Sequence, residues 1–236
     1  MDEKALAKAA LKDKNWGARK KACEEITDQK VLKKAALKDK SMAVRIAATQ
    51  GLHDQKALIK LMENKDLALF AIDNIVDETY LCIAAKYASD SGVRVKALKR
   101  INDQKLLAET ALTDKNEYVR EAAITNLSDQ DALMKVARED EHPPVRLAAC
   151  KRILGQERLT VLALGASDGS VRENAVNRID DQETLKKVLA SETDENVRLA
   201  AIRKVTDQAY LKDMAVNERS VWVRSAAVEG IDDPEY

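Results

Sequence analysis

Aromatic side chains make up only 3% of this 236-residue chain, which argues against a large aromatic-lined ligand pocket. Seven Gly and three Pro leave little material for the hairpins and bulges of a β protein, or for glycine-rich phosphate loops. The three cysteines, Cys23, Cys82 and Cys150, are odd in number and widely spaced. They lack the paired spacing of a zinc site and the density of a secreted disulfide scaffold, so all three are expected to be reduced, buried, small apolar side chains. An excess of charge of one sign is missing too. Lys plus Arg and Asp plus Glu both total 40, so no global field attracts polyanions or membranes, and a dedicated nucleic-acid binder is disfavoured. No window approaches the roughly 18 apolar residues of a membrane span, and Met1 to Leu6 begins no signal-peptide stretch. The expectation is a soluble, cytoplasmic protein with no membrane partner.

What is present is 45% hydrophobic and 34% charged residues, arranged in a repeat. Asp-Gln occurs at 28, 54, 103, 129, 181 and 207, with Asp77-Glu78 and Gly155-Gln156 filling the gaps; the spacing is 26 residues except for one of 23. Val-Arg keeps a second fixed phase at Val44, Val93, Val119, Val145, Val171, Val197 and Val223. Repeats of this length mark stacked architectures. Nine units follow: 1-27, 28-53, 54-76, 77-102, 103-128, 129-154, 155-180, 181-206 and 207-236.

Each unit predicts two short helices. The first opens at the Asp, whose carboxylate suits an N-cap, and carries apolar residues four, seven and eight positions on, as in Asp28 with Leu32, Ala35 and Ala36. The second contains Val-Arg, then Ala four residues after the Val and an aliphatic eight after it, as in Val119, Ala123 and Leu127. The small Ala permits close helix approach. Helices of about ten residues cannot bury their apolar faces alone, so the pairs must stack into one core. The expected fold class is all-α: an α-solenoid, or superhelix, of nine two-helix repeats in one domain, 1-236. Helices about 8–10 Å apart would make it on the order of 80 Å long. The unit 54-76 is three residues short and has Leu67-Ala68 in place of Val-Arg, which predicts a local change of curvature.

An acidic residue in the interhelical turn, followed six positions later by the Arg of Val-Arg-x-x-Ala-Ala-x-x-x-Ile, resembles the second helix of HEAT repeats, especially the short phycobilisome-lyase-type kind. The matching pairs are Asp13/Arg19, Asp39/Arg45, Asp114/Arg120, Asp140/Arg146, Glu192/Arg198 and Glu218/Arg224. Arg94 and Arg172 depart from the pattern, with Asp90 and Asp168 four residues before them. The resemblance covers essentially the whole chain and implies that the Val-Arg helix lines the concave side. It is specific for fold and poor for function, because such repeats serve scaffolds, adaptors, lyases and nucleic-acid enzymes alike. The recurring Asp and Arg are read as a ladder of acid–guanidinium contacts between successive repeats, with capping at each helix start.

Function in such a fold is expected where the repeat varies on an exposed surface. Two residues after the Val of each second helix stands a row that is half apolar: Lys20, Ile46, Leu69, Val95, Glu121, Leu147, Glu173, Leu199 and Ser225. It reads either as a partner-docking patch, strongest from Ile46 through Leu69 to Val95, or as packing between neighbouring helices. Tyr118, Trp16 and Trp222, near second-helix starts, are anchors for a partner or covers for the ends of the stack. A second set, Lys99, Arg100, Lys151, Arg152, Arg178, Arg203 and Lys204, forms either a basic stripe for phosphates or an acidic peptide, or the cations that complement helix C-termini. Residues 1-53 hold 13 Lys plus Arg against 7 Asp plus Glu, whereas 181-236 hold 8 against 12. That polarity could orient a partner or favour weak head-to-tail association of a protein otherwise expected to be monomeric. Solubilisation of an end unit explains the N-terminal lysines equally well.

No catalytic constellation stands out. His53 and His142 sit far apart at loop phases, no Cys has the spacing of a nucleophilic pair or metal centre, and adjacent carboxylates are too common to single out a pair. No catalytic residue, metal or cofactor is expected. The leading expectation is a non-catalytic protein-interaction scaffold binding a protein or peptide on its concave face. The alternatives are a nucleic-acid-binding protein such as a HEAT-like DNA glycosylase, and a chromophore-lyase-like protein.

Overall fold

The computed structural model describes residues 2–232; Met1 and the end of the ninth unit, 233–236, lie outside the described residues. Eighteen α-helices and no strand are found among the described residues. They pair as α1 (Glu3–Lys12) with α2 (Trp16–Glu25), α3 (Gln29–Lys38) with α4 (Met42–Gln50), α5 (Gln55–Leu61) with α6 (Lys65–Asp73), α7 (Glu78–Tyr87) with α8 (Ser91–Leu98), and α9 (Gln104–Thr113) with α10 (Glu117–Asn126). The series continues with α11 (Gln130–Glu139) and α12 (Pro143–Arg152), α13 (Gln156–Gly165) and α14 (Gly169–Val176), α15 (Gln182–Ser191) and α16 (Glu195–Ile202), and α17 (Gln208–Asn217) and α18 (Val221–Glu229). One pair falls in each repeat unit, and α5 is shortened to seven residues where the sequence is three residues short.

Helix boundaries follow from the repeated polar residues. Asp28, Asp54, Asp77, Asp103, Asp129, Asp181 and Asp207 each cap a first helix, with the carboxylate accepting from first-turn N–H groups, donors that otherwise have no intrahelical partner. Gly155 replaces the Asp before α13 at φ 90°, in a region that side chains disfavour, and supplies no side-chain cap. Pro143 opens α12, where its missing N–H costs nothing.

The chain forms two compact units, 1–126 with α1 to α10 and 127–236 with α11 to α18. Within each, a first helix packs on its own second helix, and second helices pack on one another in chain order: α2, α4, α6, α8 and α10 in one unit, α12, α14, α16 and α18 in the other. Neighbouring first helices touch much less. The reason is side-chain size at the contact. The Val-Arg valines and the alanines four residues on, such as Val93 with Ala97 and Val197 with Ala201, are at most 1% exposed, and Ala lets helix backbones come close.

The glutamine of Asp-Gln has its own task. Gln182 Nε2 donates to Lys204 O (3.1 Å) while its Oε1 accepts from Thr206 N (2.9 Å), and Gln29, Gln55, Gln130, Gln156 and Gln208 bridge in the same way to the end of their own second helix. Glu78, lacking the donor, keeps the acceptor half, taking Asn102 N at 2.6 Å. Asp starts the first helix, and Gln ties that start to the end of the second.

The arginine ladder joins successive repeats, but through different partners from those the six-residue spacing suggests. Arg19 donates to Asp39 of the next unit through Nε (2.7 Å) and Nη2 (2.9 Å), and Nη1 goes to the main-chain oxygen of Asp13 (2.9 Å). Arg94 repeats this with Asp114 (2.9 and 3.0 Å) and Ala88 O, and Arg172 with Glu192 (2.6 and 3.1 Å) and Ala166 O. Arg146 pairs with Asp168 at 2.5 Å and Arg198 with Glu218. The residue six before the arginine therefore contributes a carbonyl, which needs no acidic side chain, so Arg94 and Arg172 hold full rungs. Arg45 departs from this although a further unit follows it. The next unit places Met62, not an acid, two residues before its cap Asn64, and Arg45 donates only to Ala36 O, with no carboxylate partner among the described residues.

Candidate functional site

The variable row of second-helix residues lies on successive helices of each unit. In 1–126, Ile46 and Val95 are half-buried while Leu69 between them is 41% exposed. Leu69 Cδ2 lies over α8 at Gly92, 3.4 Å from where a Cβ would stand there. In 127–236, Leu147 and Leu199 are half-buried. The row is thus accessible apolar surface that also packs partly on neighbouring helices. Trp16, Tyr118 and Trp222 are 56%, 65% and 68% exposed, so little of each ring is left to cover the end of a stack.

The basic stripe divides in two. Arg100 donates to Ile72 O (2.8 Å) and Ile75 O, Arg178 to Cys150 O (2.8 Å) and Ile153 O, Arg152 to Leu127 O (3.1 Å), and Lys204 to Asn177 O (2.9 Å). These cations meet helix-end carbonyls, as the macrodipole favours, but of the preceding repeat's second helix rather than their own. Asn74 and Asn126 fill the same role with their amides. Lys99, Lys151 and Arg203 are exposed and make no such bond.

Cys23 and Cys150 are buried, and burial pushes both thiols up to about 11. Cys82 corrects the expectation of three buried cysteines: it is half-buried and lines a surface groove. His53 is exposed between α4 and α5, and His142 precedes α12 with Nδ1 3.4 Å from Glu141. Among the described residues no cluster of three or more His, Cys, Asp or Glu could hold a metal, and no helix is long and apolar enough to cross a membrane.

Grooves open between first helices, where packing is loosest. One, about 900 Å³ between α7 and α9, has Cys82, Ile83, Tyr87 and Leu106 on its walls with Glu78 and Glu109 at the rim. A second, about 480 Å³ between α1 and α3, has four lysines among its lining residues. Sequence reasoning missed both, because it placed variation on second helices only. A usable signal for the second was the lysine excess of the first two units, which includes Lys14, Lys34, Lys38 and Lys40. No protein family and no curated protein matches the chain.

Proposed function

We propose that this protein is a non-catalytic interaction protein, built on HEAT-like repeats, that docks a segment of another protein on its second-helix row. One observation carries the reading. The polar residues that recur along the repeat are engaged within the fold, as caps, clamps and ladder rungs, whereas a half-apolar row at a variable position stays accessible, with Leu69 at 41% exposure. A merely solvated face has no reason to carry Ile46, Leu69 and Val95 on three successive helices, and accessible apolar area of this kind commonly marks interaction surfaces. Tyr118 and Trp222, exposed rings with few rotatable bonds, are anchors of the type that concentrates binding energy.

The test is selection of binding peptides from a displayed random library by the wild type and by Leu69→Glu, with circular dichroism to verify folding. Enriched sequences should carry apolar anchors and lose binding to the folded variant by about tenfold or more, the cost of a carboxylate in an apolar contact. Enrichment indifferent to Leu69→Glu would overturn the placement. Failure to enrich any peptide, with retention of an oligonucleotide that salt weakens steeply, would turn the assignment to nucleic acid.

A further inference from the structure

The groove between α1 and α3 differs from its counterparts in charge. It is lined by Lys14, Arg19, Lys34, Lys38 and Lys40 against Asp13 and Asp39. The two acids are already occupied: Asp39 takes both prongs of Arg19 and the N–H of Ser41, and Asp13 takes the N–H of Asn15. The four lysines make no ion pair among the described residues. In the α7–α9 groove Lys86 and Lys105 face Glu78, Asp103 and Glu109, and at the α15–α17 end Arg198 and Arg219 face Glu192 and Glu218. Ion pairs cross first helices elsewhere, as in Lys33 with Asp54 and Lys186 with Asp207. Arg45, with no carboxylate partner among the described residues, donates to Ala36 O of the same α3.

Mutual repulsion of unpaired ammonium groups around one concavity is relieved by an anionic ligand, and the groove's chemistry says which. It has no aromatic wall on which bases could stack, and its one guanidinium already grips a carboxylate, leaving no free fork for phosphate. What remains is a set of point charges around an apolar floor of Leu11 and Ala35. Lys34 and Lys38 stand one helical turn apart, about 6 Å along α3, close to the roughly 7 Å between alternate side chains of an extended peptide. We propose that this groove binds an acidic, extended peptide segment of a partner protein, with alternate carboxylates on Lys34 and Lys38 and aliphatic side chains toward Leu11 and Ala35. It is a second surface, on first helices, independent of the row that includes Leu69.

The probe is a short fluorescein-labelled peptide alternating Glu with Ala and Leu, titrated with the full chain at low salt and followed by fluorescence anisotropy. Saturable binding should weaken about tenfold or more in Lys34→Glu/Lys38→Glu. It should stay within about twofold in Lys21→Glu/Lys30→Glu, which makes the same charge change on α2 and α3 away from the groove. Lys14→Gln/Lys40→Gln, in the turns, should weaken binding about threefold or more and carries the test if the α3 pair unfolds. Leu69→Glu should leave the affinity unaltered, which separates this site from the apolar row. Absence of binding, or equal loss in the control pair, overturns the proposal. Tighter retention of a charge-matched oligonucleotide overturns the peptide assignment.

Discussion

Arg94 and Arg45 occupy the same phase of the repeat, yet only Arg94 grips a carboxylate, and that difference has a measurable consequence. Arg94 is 7% exposed and donates to Asp114 and to two main-chain oxygens. Arg94→Ala should cost about 3–5 kcal/mol, because it strands a poorly solvated carboxylate, whereas Arg45→Ala should cost about 1 kcal/mol, the worth of one hydrogen bond and some packing. Urea unfolding of the two variants checks the contrast, and equal losses would contradict the ladder. The acid side of the rungs sets the pH dependence. Asp39 is held below the usual carboxylate range by its Arg19 hydrogen bonds; at Asp168 and Glu192 burial is the largest single influence and pushes upward, but the bonds from Arg146 and Arg172, main-chain N–H bonds and ionic attraction together outweigh it. A depressed folded-state value means the unfolded chain binds the protons first, so the stability these groups contribute is complete above about pH 5 and is lost as pH falls below it. The urea midpoint should therefore stay level from neutral pH down to about 5 and then drop, less steeply in Asp39→Asn. The carboxylates of these rungs were legible in the sequence, but their partners were not. Spacing along the chain pairs Asp39 with Arg45; stacking delivers Arg19.

At the scale of the helix, the Asp-Gln dipeptide does two jobs of which the sequence announced one. An Asp before an amphipathic stretch is a recognisable cap, but a Gln at the first helical position is polar surface by any local rule. Its recurrence without an out-of-register copy was the signal that it served the fold. Gln182→Ala should cost about 1–2 kcal/mol, since it removes two hydrogen bonds and leaves Thr206 N–H without its acceptor. Gln182→Glu should recover about half of that, as Glu78 retains the acceptor half on Asn102. Thermal unfolding of both variants decides it: an alanine variant as stable as the wild type would reduce the clamp to a surface contact. The same recurrence explains the end-of-helix Arg100, Arg152 and Arg178. Their phase was visible in the sequence, but the carbonyls they reach belong to another repeat.

For the whole molecule, the governing fact is that each repeat buries its apolar surface only against its neighbours. Stability in such a chain is a sum of nearest-neighbour terms, so damage should stay local. Loss of the Arg94 rung should raise amide exchange in 77–128 while 181–206 exchanges as in the wild type, measurable by exchange mass spectrometry under native conditions. Uniform acceleration along the chain would show instead a single cooperative body. The two proposed surfaces follow the same logic: one lies on the closely packed second helices, the other in the open layer of first helices.

The sequence by itself determined the number of repeats, the two helices in each, the caps, the buried Val and Ala positions and the shortened third unit, because all of these follow from local periodicity and from which side chains can satisfy a helix end. Only the tertiary structure decided which acid meets which arginine, why Gln accompanies Asp, that Cys82 reaches the surface, and that two lysines of α3 and two of the interhelical turns converge on one groove. Those depend on distances between residues about 20 or more apart in the chain, set by how one pair of helices lies on the next.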